Sequence, residues 1–151
     1  MRAKDNPQAK MKAVAIQVKM IQADRITPPA EFQVSLYENL ITQLQKRNVF
    51  ERVYRDGDLN AAASSDLIVL QCAVKKFEKG SEKMRDVTTV AGATSITLRC
   101  QFRDKGGNSL LERDIAGRVR FFGGNLNATY DFAKKAANVA AENFSTIAEH
   151  R

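Results

Sequence analysis

The chain has 151 residues, of which 44 % are hydrophobic and 27 % charged, so its size and balance are those of one folded domain rather than a disordered chain. A formal net charge of +7 suggests a polyanionic partner, but lysine and arginine are spread along the chain beside acidic residues, which favours an ordinary solvated surface. No apolar run approaches the roughly 20 residues that a membrane-spanning helix needs, so we expect no transmembrane segment.

The first twelve residues, MRAKDNPQAKMK, are basic but precede no apolar stretch, so they do not form an intact export signal. We expect residues 1–12 to be a disordered or tag-like segment and residues 13–151 to form a single α+β domain. Two locations stay open. One is the periplasm or the outer membrane, if an export signal was removed; the other is the cytoplasm.

The N-terminal part of the domain predicts a strand followed by a helix. Residues 13–21 alternate apolar and polar side chains, which predicts the strand. Apolar residues three and four apart then predict an amphipathic helix over 29–47, which Thr27 can cap and Asn48 can end in the left-handed conformation. The inward side chains of these two elements are Val14, Ile16, Val18 and Met20, and Phe32, Leu36, Tyr37, Leu40, Ile41 and Leu44.

Four more strands are predicted, over residues 49–54, 67–77, 93–103 and 110–121. Asp56-Gly57-Asp58 closes the first, and residues 59–66 form a loop or one helical turn. The two glycines between Asp104 and Asn108 predict a tight hairpin turn. The inward side chains are Ile68, Leu70, Cys72 and Val74, then Ile96, Leu98, Cys100 and Phe102, then Leu111, Ile115, Val119 and Phe121, with Arg113 the polar exception.

Cys72 and Cys100 are predicted to be neighbours on adjacent strands. Pairing 72 with 100 in an antiparallel hairpin also pairs 68 with 104 and 78 with 94, which matches the predicted strand ends. Both a disulfide and a pair of buried free thiols stay open. Strand geometry favours the free thiols, whereas a location in the cell envelope favours oxidation.

The last predicted element is a helix over residues 127–148. Its apolar stripe is rich in alanine, which allows close approach to a flat sheet, and a coiled-coil dimer is the alternative. The stripe consists of Tyr130, Ala133, Ala137, Ala140, Phe144 and Ile147.

The order β-α-β-β-β-β-α predicts an α+β fold, with a mainly antiparallel five-stranded sheet and both helices on one face. The other face of the sheet is then uncovered and polar, with an excess of positive charge. Its side chains are Gln17, Lys19, Gln71, Lys75, Arg99, Gln101, Arg103, Glu112, Asp114, Arg118 and Arg120.

The sequence carries none of the common local signatures of catalysis or of nucleotide binding. Its one histidine, His150, is the second-last residue, and two cysteines 28 apart without a nearby histidine do not make a usual zinc site. We therefore expect a protein that is not an enzyme, with no catalytic residue, no cofactor and no metal site.

Basic side chains at three places are the candidate binding residues. Residues 79–92 lack periodicity and predict a long hairpin loop, and Gly123-Gly124-Asn125 could direct backbone N–H groups at an anion where the last helix begins. A solvated hairpin and an ordinary turn with an asparagine cap are the simpler readings of these two segments, and we favour them. The candidates are Lys79, Lys83 and Arg85 in the loop, Arg99 and Arg103 on the uncovered face, and Arg118 and Arg120 before the glycines.

A series of short motifs runs from Ser65 to Ala128. In order they are Ser65-Asp66 before a strand, Phe77-x-x-Gly80, Arg85, Gly92, Phe102-x-Asp104, Gly106-Gly107, Ile115-x-Gly117 and Phe122-Gly123-Gly124. Together they resemble the bacterial family called domain of unknown function forty-four ten, and the earlier Asn48-Val49-Phe50-x-x-Val53 is similar as well. The resemblance implies a place in the cell envelope, because members commonly carry lipoprotein or export signals, and it implies no assigned activity.

Three functions stay open on this basis. The first is a non-catalytic envelope module that binds a protein partner, or an anionic glycan, through the uncovered sheet face or the 79–92 loop. The second is a basic nucleic-acid-binding protein, which the shortage of interleaved aromatic residues disfavours. The third is an enzyme of unrecognised type that uses carboxylates such as Asp66, Asp104 or Asp114, although each of these has an ordinary structural role at a strand or turn. The sequence does not predict the oligomeric state.

Overall fold

The computed structural model describes residues 9–24, 26–78, 94–119, 124 and 126–147. Within them the chain forms eight strands, two α-helices and one 3-10 helix. In chain order these are β1 (Met11–Lys12), β2 (Ala15–Val18), β3 (Gln22–Ala23), α1 (Ala30–Arg47), β4 (Arg52–Arg55), the 3-10 helix (Leu59–Ala63), β5 (Leu67–Glu78), β6 (Thr94–Asp104), β7 (Ser109–Val119), α2 (Asn127–Asn143) and β8 (Phe144–Ser145).

Six of the strands form one mixed sheet in the order β4-β2-β5-β6-β7, with β3 also paired to β5. β2 runs parallel to both β4 and β5, whereas the β5–β6 and β6–β7 pairs are antiparallel. The α+β class and the antiparallel pairing of β5, β6 and β7 are confirmed, but the sheet is mixed and six-stranded rather than mainly antiparallel and five-stranded. The physical reason is the helix between β2 and β4, because a helical crossover returns the chain to the edge where the first strand began and makes the two strands parallel.

β2 is an interior strand of the sheet, between β4 and β5, and is buried on both faces. The 3-10 helix covers the side away from the α-helices, where Ala61 packs with Ala15 and Leu67. Gln17 is therefore only 9 % exposed, so its predicted place on an uncovered face is wrong. Met20, predicted to point inward, lies beyond the end of β2 and is 55 % exposed.

α1 buries the predicted apolar stripe and ends as predicted, with Asn48 in the left-handed conformation at a φ of 57°. The start differs from the prediction, because the helix begins after Pro29 and has no side-chain cap, so Thr27 does not cap it. The buried side chains of the stripe are Phe32, Leu36, Tyr37, Leu40, Ile41 and Leu44.

Tyr37 joins α1 to the ends of β2 and β4. Its buried hydroxyl donates to the carbonyl oxygen of Val18 at 2.9 Å and accepts from the backbone N–H of Asp56 at 2.8 Å. The guanidinium of Arg55 lies 5.2 Å from the centre of the tyrosine ring, within the range of a cation–π contact. One side chain therefore fixes the helix against the ends of both β2 and β4.

The β5–β6 hairpin places Cys72 directly opposite Cys100, as predicted. A bulge between Val74 and Lys76 then shifts the register, so that Glu78 pairs with Ser95 rather than with residue 94. The inward rows of both strands are buried as predicted. In β7 the burial is confirmed for Ile115 and Val119, while Leu111 is half-buried and Phe121 lies outside the described residues.

α2 lies on β6 and β7 beside α1, so both helices pack on the same face of the sheet and share one core. Its stripe is rotated from the predicted one, because Tyr130 is 44 % and Ile147 69 % exposed, whereas Phe132 is fully buried. The alanines that approach the sheet are all fully buried, and they are Ala133, Ala136, Ala137 and Ala140.

α2 ends five residues before the predicted position, at Asn143. The next two residues form β8, which pairs in parallel with β1, so that Met11 lies opposite Phe144 and Lys12 opposite Ser145. Met11 and Lys12 fall in the predicted N-terminal segment, yet they are part of the folded structure.

Candidate binding surface

The side of the sheet away from α1 and α2 is the candidate binding surface. The 3-10 helix covers its β2 end, and the side chains of β5, β6 and β7 remain open to solvent. Strand alternation sends one row of each strand to this side. The polar residues of these rows include Gln71, Lys75, Thr97, Arg99, Gln101, Arg103, Glu112, Asp114 and Arg118.

A cleft of about 200 Å³ lies on this surface, where β3 borders the bulged part of β5. β3 continues the line of β2 along the same edge of β5, and Asp24, which follows β3, is part of the cleft lining. We call this site the β3–β6 cleft. It is lined by Gln22, Asp24, Gln71, Ala73, Lys75, Arg99, Gln101 and Arg103.

Asp114 of β7 neutralises part of the positive charge in the cleft. Its carboxylate accepts from Arg99 Nε at 3.1 Å and from Lys75 Nζ at 2.9 Å. The hydrogen bond from Arg99, followed by that from Lys75, lowers the pKa of Asp114 below its ordinary value. The same contact raises the pKa of Arg99, so Asp114 and Arg99 both stay ionised across the physiological range.

Arg103 stands in a different environment. Its guanidinium donates to the amide oxygen of Gln101, and the amide nitrogen of Gln101 donates to Glu112 at 2.5 Å. No ion pair joins Arg103 to a carboxylate within the described part of the chain. Because its hydrogen-bond partner is a neutral amide, Arg103 keeps the donors and the charge that an incoming anion would need.

Of the other predicted binding residues, the structure describes Arg118, which is not part of the cleft lining. Arg118 is exposed on the same side of the sheet, but it lies four positions along β7 from Asp114, and its backbone N–H donates to Asp131 at 2.9 Å. Lys79, Lys83, Arg85 and Arg120 lie outside the described residues, as do Gly123 and Asn125 of the suggested anion site.

Two cleft residues, Gln22 and Asp24, were missed by the sequence analysis. They follow a strand that was expected to stop at residue 21, and a paired segment as short as β3 has no detectable periodicity. The remaining polar lining residues were placed on the correct side of the sheet by the alternation of β5 and β6.

Metal coordination and membrane insertion are two further roles on which the structure bears. Among residues 9–24, 26–78, 94–119, 124 and 126–147, no three side chains of His, Cys, Asp or Glu come together in a way that could hold a metal ion. Neither helix of this described part is both long and apolar enough to cross a membrane.

The sequence matches no protein-family model and no curated protein. The fold is similar to PelC from Paraburkholderia phytofirmans, solved as a dodecamer, with a TM-score of 0.60, 16 % identity and coverage of 90 % of this chain and 92 % of PelC. A point variant of that dodecamer, solved in a second crystal form, gives a TM-score of 0.60 at 14 % identity, covering 89 % and 91 %. The hypothetical protein CT253 from Chlamydia trachomatis gives 0.47 at 10 % identity, covering 70 % and 71 %. At these identities the likeness to PelC shows a shared fold.

Proposed function

We propose that this chain is a non-catalytic binding or assembly module of the bacterial cell envelope, and that it holds an acidic group of a protein partner in the β3–β6 cleft. The observation that carries the proposal is Arg103, which is charged, half-buried at the cleft wall and engaged with a neutral amide. Arg99 lies four residues away on the same strand and lines the same cleft. A guanidinium group binds a carboxylate through charge-assisted hydrogen bonds, and the neutral partner of Arg103 leaves its charge available for one.

The chemistry of the lining supports binding rather than turnover. Guanidinium and ammonium groups that stay protonated at neutral pH do not act as bases or nucleophiles, and the amides of Gln71 and Gln101 are donors and acceptors without acid–base chemistry. Asp24 in the lining places a negative charge near Arg99, which would disfavour a uniformly anionic polymer and favour a ligand of mixed charge. A protein segment meets this condition better than a nucleic acid does.

The envelope location rests on the resemblance to the family of unknown function, whose members commonly carry lipoprotein or export signals. An anionic glycan is the alternative ligand, since a single uronic acid carboxylate would meet the same arginines, although Asp24 disfavours a continuous run of such groups. A basic nucleic-acid-binding protein is the remaining alternative, and its binding would fall steeply as salt is added because many phosphate contacts would release counterions.

Assembly of this chain with itself is a second candidate function, and the shared fold with PelC favours it. PelC forms a dodecamer, and the fold match covers about nine-tenths of both chains. We expect light scattering coupled to size exclusion to show a discrete oligomer whose mass does not change across a tenfold dilution. A monomer at every concentration would exclude self-assembly and leave the binding proposal untouched.

The binding proposal is tested by recovering partners from envelope extracts with the immobilised protein. The variant Arg99→Gln with Arg103→Gln removes both guanidinium groups, and the matched control Arg47→Gln with Arg113→Gln removes the same charge at two exposed arginines outside the cleft. We expect a partner that the wild type and the control recover and that the cleft variant loses. Uronic acid oligosaccharides added as competitors separate the glycan from the protein partner.

Identical recovery by all three forms would contradict the proposed function, provided that circular dichroism shows the cleft variant to be folded. If the control also loses the partner, the net charge of the protein, rather than the cleft, is responsible for binding it.

A further inference from the structure

The two cysteines of the chain meet inside the core, on the side of the sheet opposite the β3–β6 cleft. Cys72 and Cys100 are the only cysteines in the sequence, and their Sγ atoms lie 2.8 Å apart. Both are free thiols, and both side chains are at most 1 % exposed. The proposed binding function uses neither of them.

The backbone around this pair shows which kind of cross-strand position it occupies. Backbone groups of a strand alternate between its two neighbours, and Leu70 O accepts from Lys19 N on the β2 side. Residues of β5 that lie an even number of positions from Leu70, including Cys72, therefore direct their backbone groups towards β2 and away from β6. Cys72 and Cys100 thus form a pair without backbone hydrogen bonds between them.

The backbone hydrogen bonds of β7, at the other edge of the sheet, show the same for Cys100. On β7, Arg118 N donates to Asp131 and Ala116 O accepts from Lys135, so the backbone groups of these two residues are directed away from β6. Arg113, an odd number of positions away, points towards β6, where it lies opposite Cys100. Cys100 therefore directs its backbone groups to β7, away from β5.

Such a pair brings its side chains closer than a hydrogen-bonded pair does. The Cα atoms of non-hydrogen-bonded pairs lie about 4.5 Å apart, inside the range of about 4.4–6.8 Å found for disulfides. A bond between the sulfurs thus requires only a small shift of the side chains, and no strand has to move.

Access to the pair is closed in the folded protein. The core above the two sulfurs contains side chains of both α-helices, so a thiol reagent cannot reach either sulfur without partial unfolding. Burial, together with the hydrogen bond shared with Cys72, raises the pKa of the Cys100 thiol well above its ordinary value, and this disfavours the thiolate that disulfide exchange needs.

We propose that Cys72 and Cys100 form a stabilising disulfide between β5 and β6 when the chain folds in an oxidising compartment. When the chain folds in a reducing compartment, the two cysteines remain a dithiol. Packing of the core then prevents either form from converting into the other in the folded protein. The oxidant is a small disulfide. One cysteine thiolate attacks it and releases one small thiol, then the second cysteine attacks the mixed disulfide and releases the other. Two electrons pass from the cysteine pair to the reagent, and the two cysteine protons end on the two released thiols.

The test compares folding under two conditions with exposure after folding. Denatured, reduced protein is refolded either in a mixture of oxidised and reduced glutathione or with reductant, and free thiols are then counted by maleimide labelling and mass spectrometry under denaturing conditions. We expect no label after oxidative refolding and two labels after reductive refolding. Folded dithiol protein placed in the same glutathione mixture should keep both free thiols, counted as two labels after denaturation, for much longer than refolding takes.

The oxidised form should melt about 5–10 °C above the dithiol form, because the crosslink restricts the unfolded chain. Cys72→Ala, refolded in the same mixture, should show no such shift, which separates the disulfide from effects of the buffer. Free thiols in a folded product of oxidative refolding would overturn the proposal, and so would an oxidised form that melts below the dithiol form. Rapid oxidation of the folded dithiol would overturn the preservation by packing.

Discussion

Gly117 of β7 lies against the first turn of α2, and a Cβ atom at this position would stand 2.1 Å from the carbonyl oxygen of Ala128. The same atom would lie 2.6 Å from the backbone nitrogen of Phe132. Both neighbours are backbone atoms of a helix packed on the sheet, so neither can rotate away. The missing side chain of Gly117 therefore determines how closely α2 approaches β7.

Replacing Gly117 with alanine should push α2 away from the sheet and lower the free energy of unfolding by about 2–4 kcal/mol, as overpacking does in a rigid core. Gly106→Ala is the matched control, because a Cβ there meets its nearest atom, Asp104 Oδ1, at an ordinary 3.5 Å. We expect the control to change stability by less than about 1 kcal/mol. Urea unfolding followed by circular dichroism measures both, and equal stability of the two variants would contradict the close packing of α2.

The alanine face of α2 should reject a large side chain. Ala137 is packed in the core and fully hidden from solvent, so Ala137→Trp is expected to lower the free energy of unfolding by roughly 3 kcal/mol or more. Its neighbour Asn138 points to solvent, and Asn138→Trp should stay within about 0.5 kcal/mol of the wild type. A thermal midpoint of the Ala137 variant within a degree or two of the wild type would show that this face is not packed.

Loss of the Tyr37 hydroxyl should cost about 1–3 kcal/mol of stability, because Tyr37→Phe leaves the backbone groups of Val18 and Asp56 without this buried partner. Tyr130→Phe provides the comparison, since that ring is 44 % exposed and its hydroxyl can reach water, and a change below about 0.5 kcal/mol is expected. Chemical denaturation of the two variants checks the difference. Similar values for both would mean that the Tyr37 hydroxyl does not stabilise the junction of α1 with the sheet.

The contribution of Asp114 to stability should depend on pH. Its pKa is lowered by Arg99 and then Lys75, so its contribution is present above the unfolded aspartate pKa of about 3.9 and is lost as the pH falls through the lower folded pKa. At neutral pH Asp114→Asn should be less stable than the wild type by under about 1 kcal/mol, because a side chain that is 43 % exposed is screened by solvent. The two proteins should converge in acid, and a gap that widens as the pH falls would reverse the assigned sign.

Several parts of this fold follow from local patterns in the sequence. The stripe of α1, the inward rows of β5 and β6 and the facing positions of Cys72 and Cys100 were all predicted, because each depends on a period that is repeated over at least ten residues. The same alternation placed Arg99 and Arg103 on the side of the sheet that carries the cleft.

The direction of the β2 pairings, the burial of Gln17 and the composition of the cleft were decided by the tertiary structure. Parallel pairing of β2 with β4 and β5 depends on where α1 returns the chain. The residues of β2 itself do not indicate whether its neighbours run parallel or antiparallel. β1, β3 and β8 have two residues each, which is too short for a periodic signal, yet β3 brings Asp24 to the cleft and β8 ends α2 early. Local sequence fixes which face of an element is apolar, because that depends on neighbours in the chain; which strands meet depends on contacts between residues far apart, and these form only when the whole core packs.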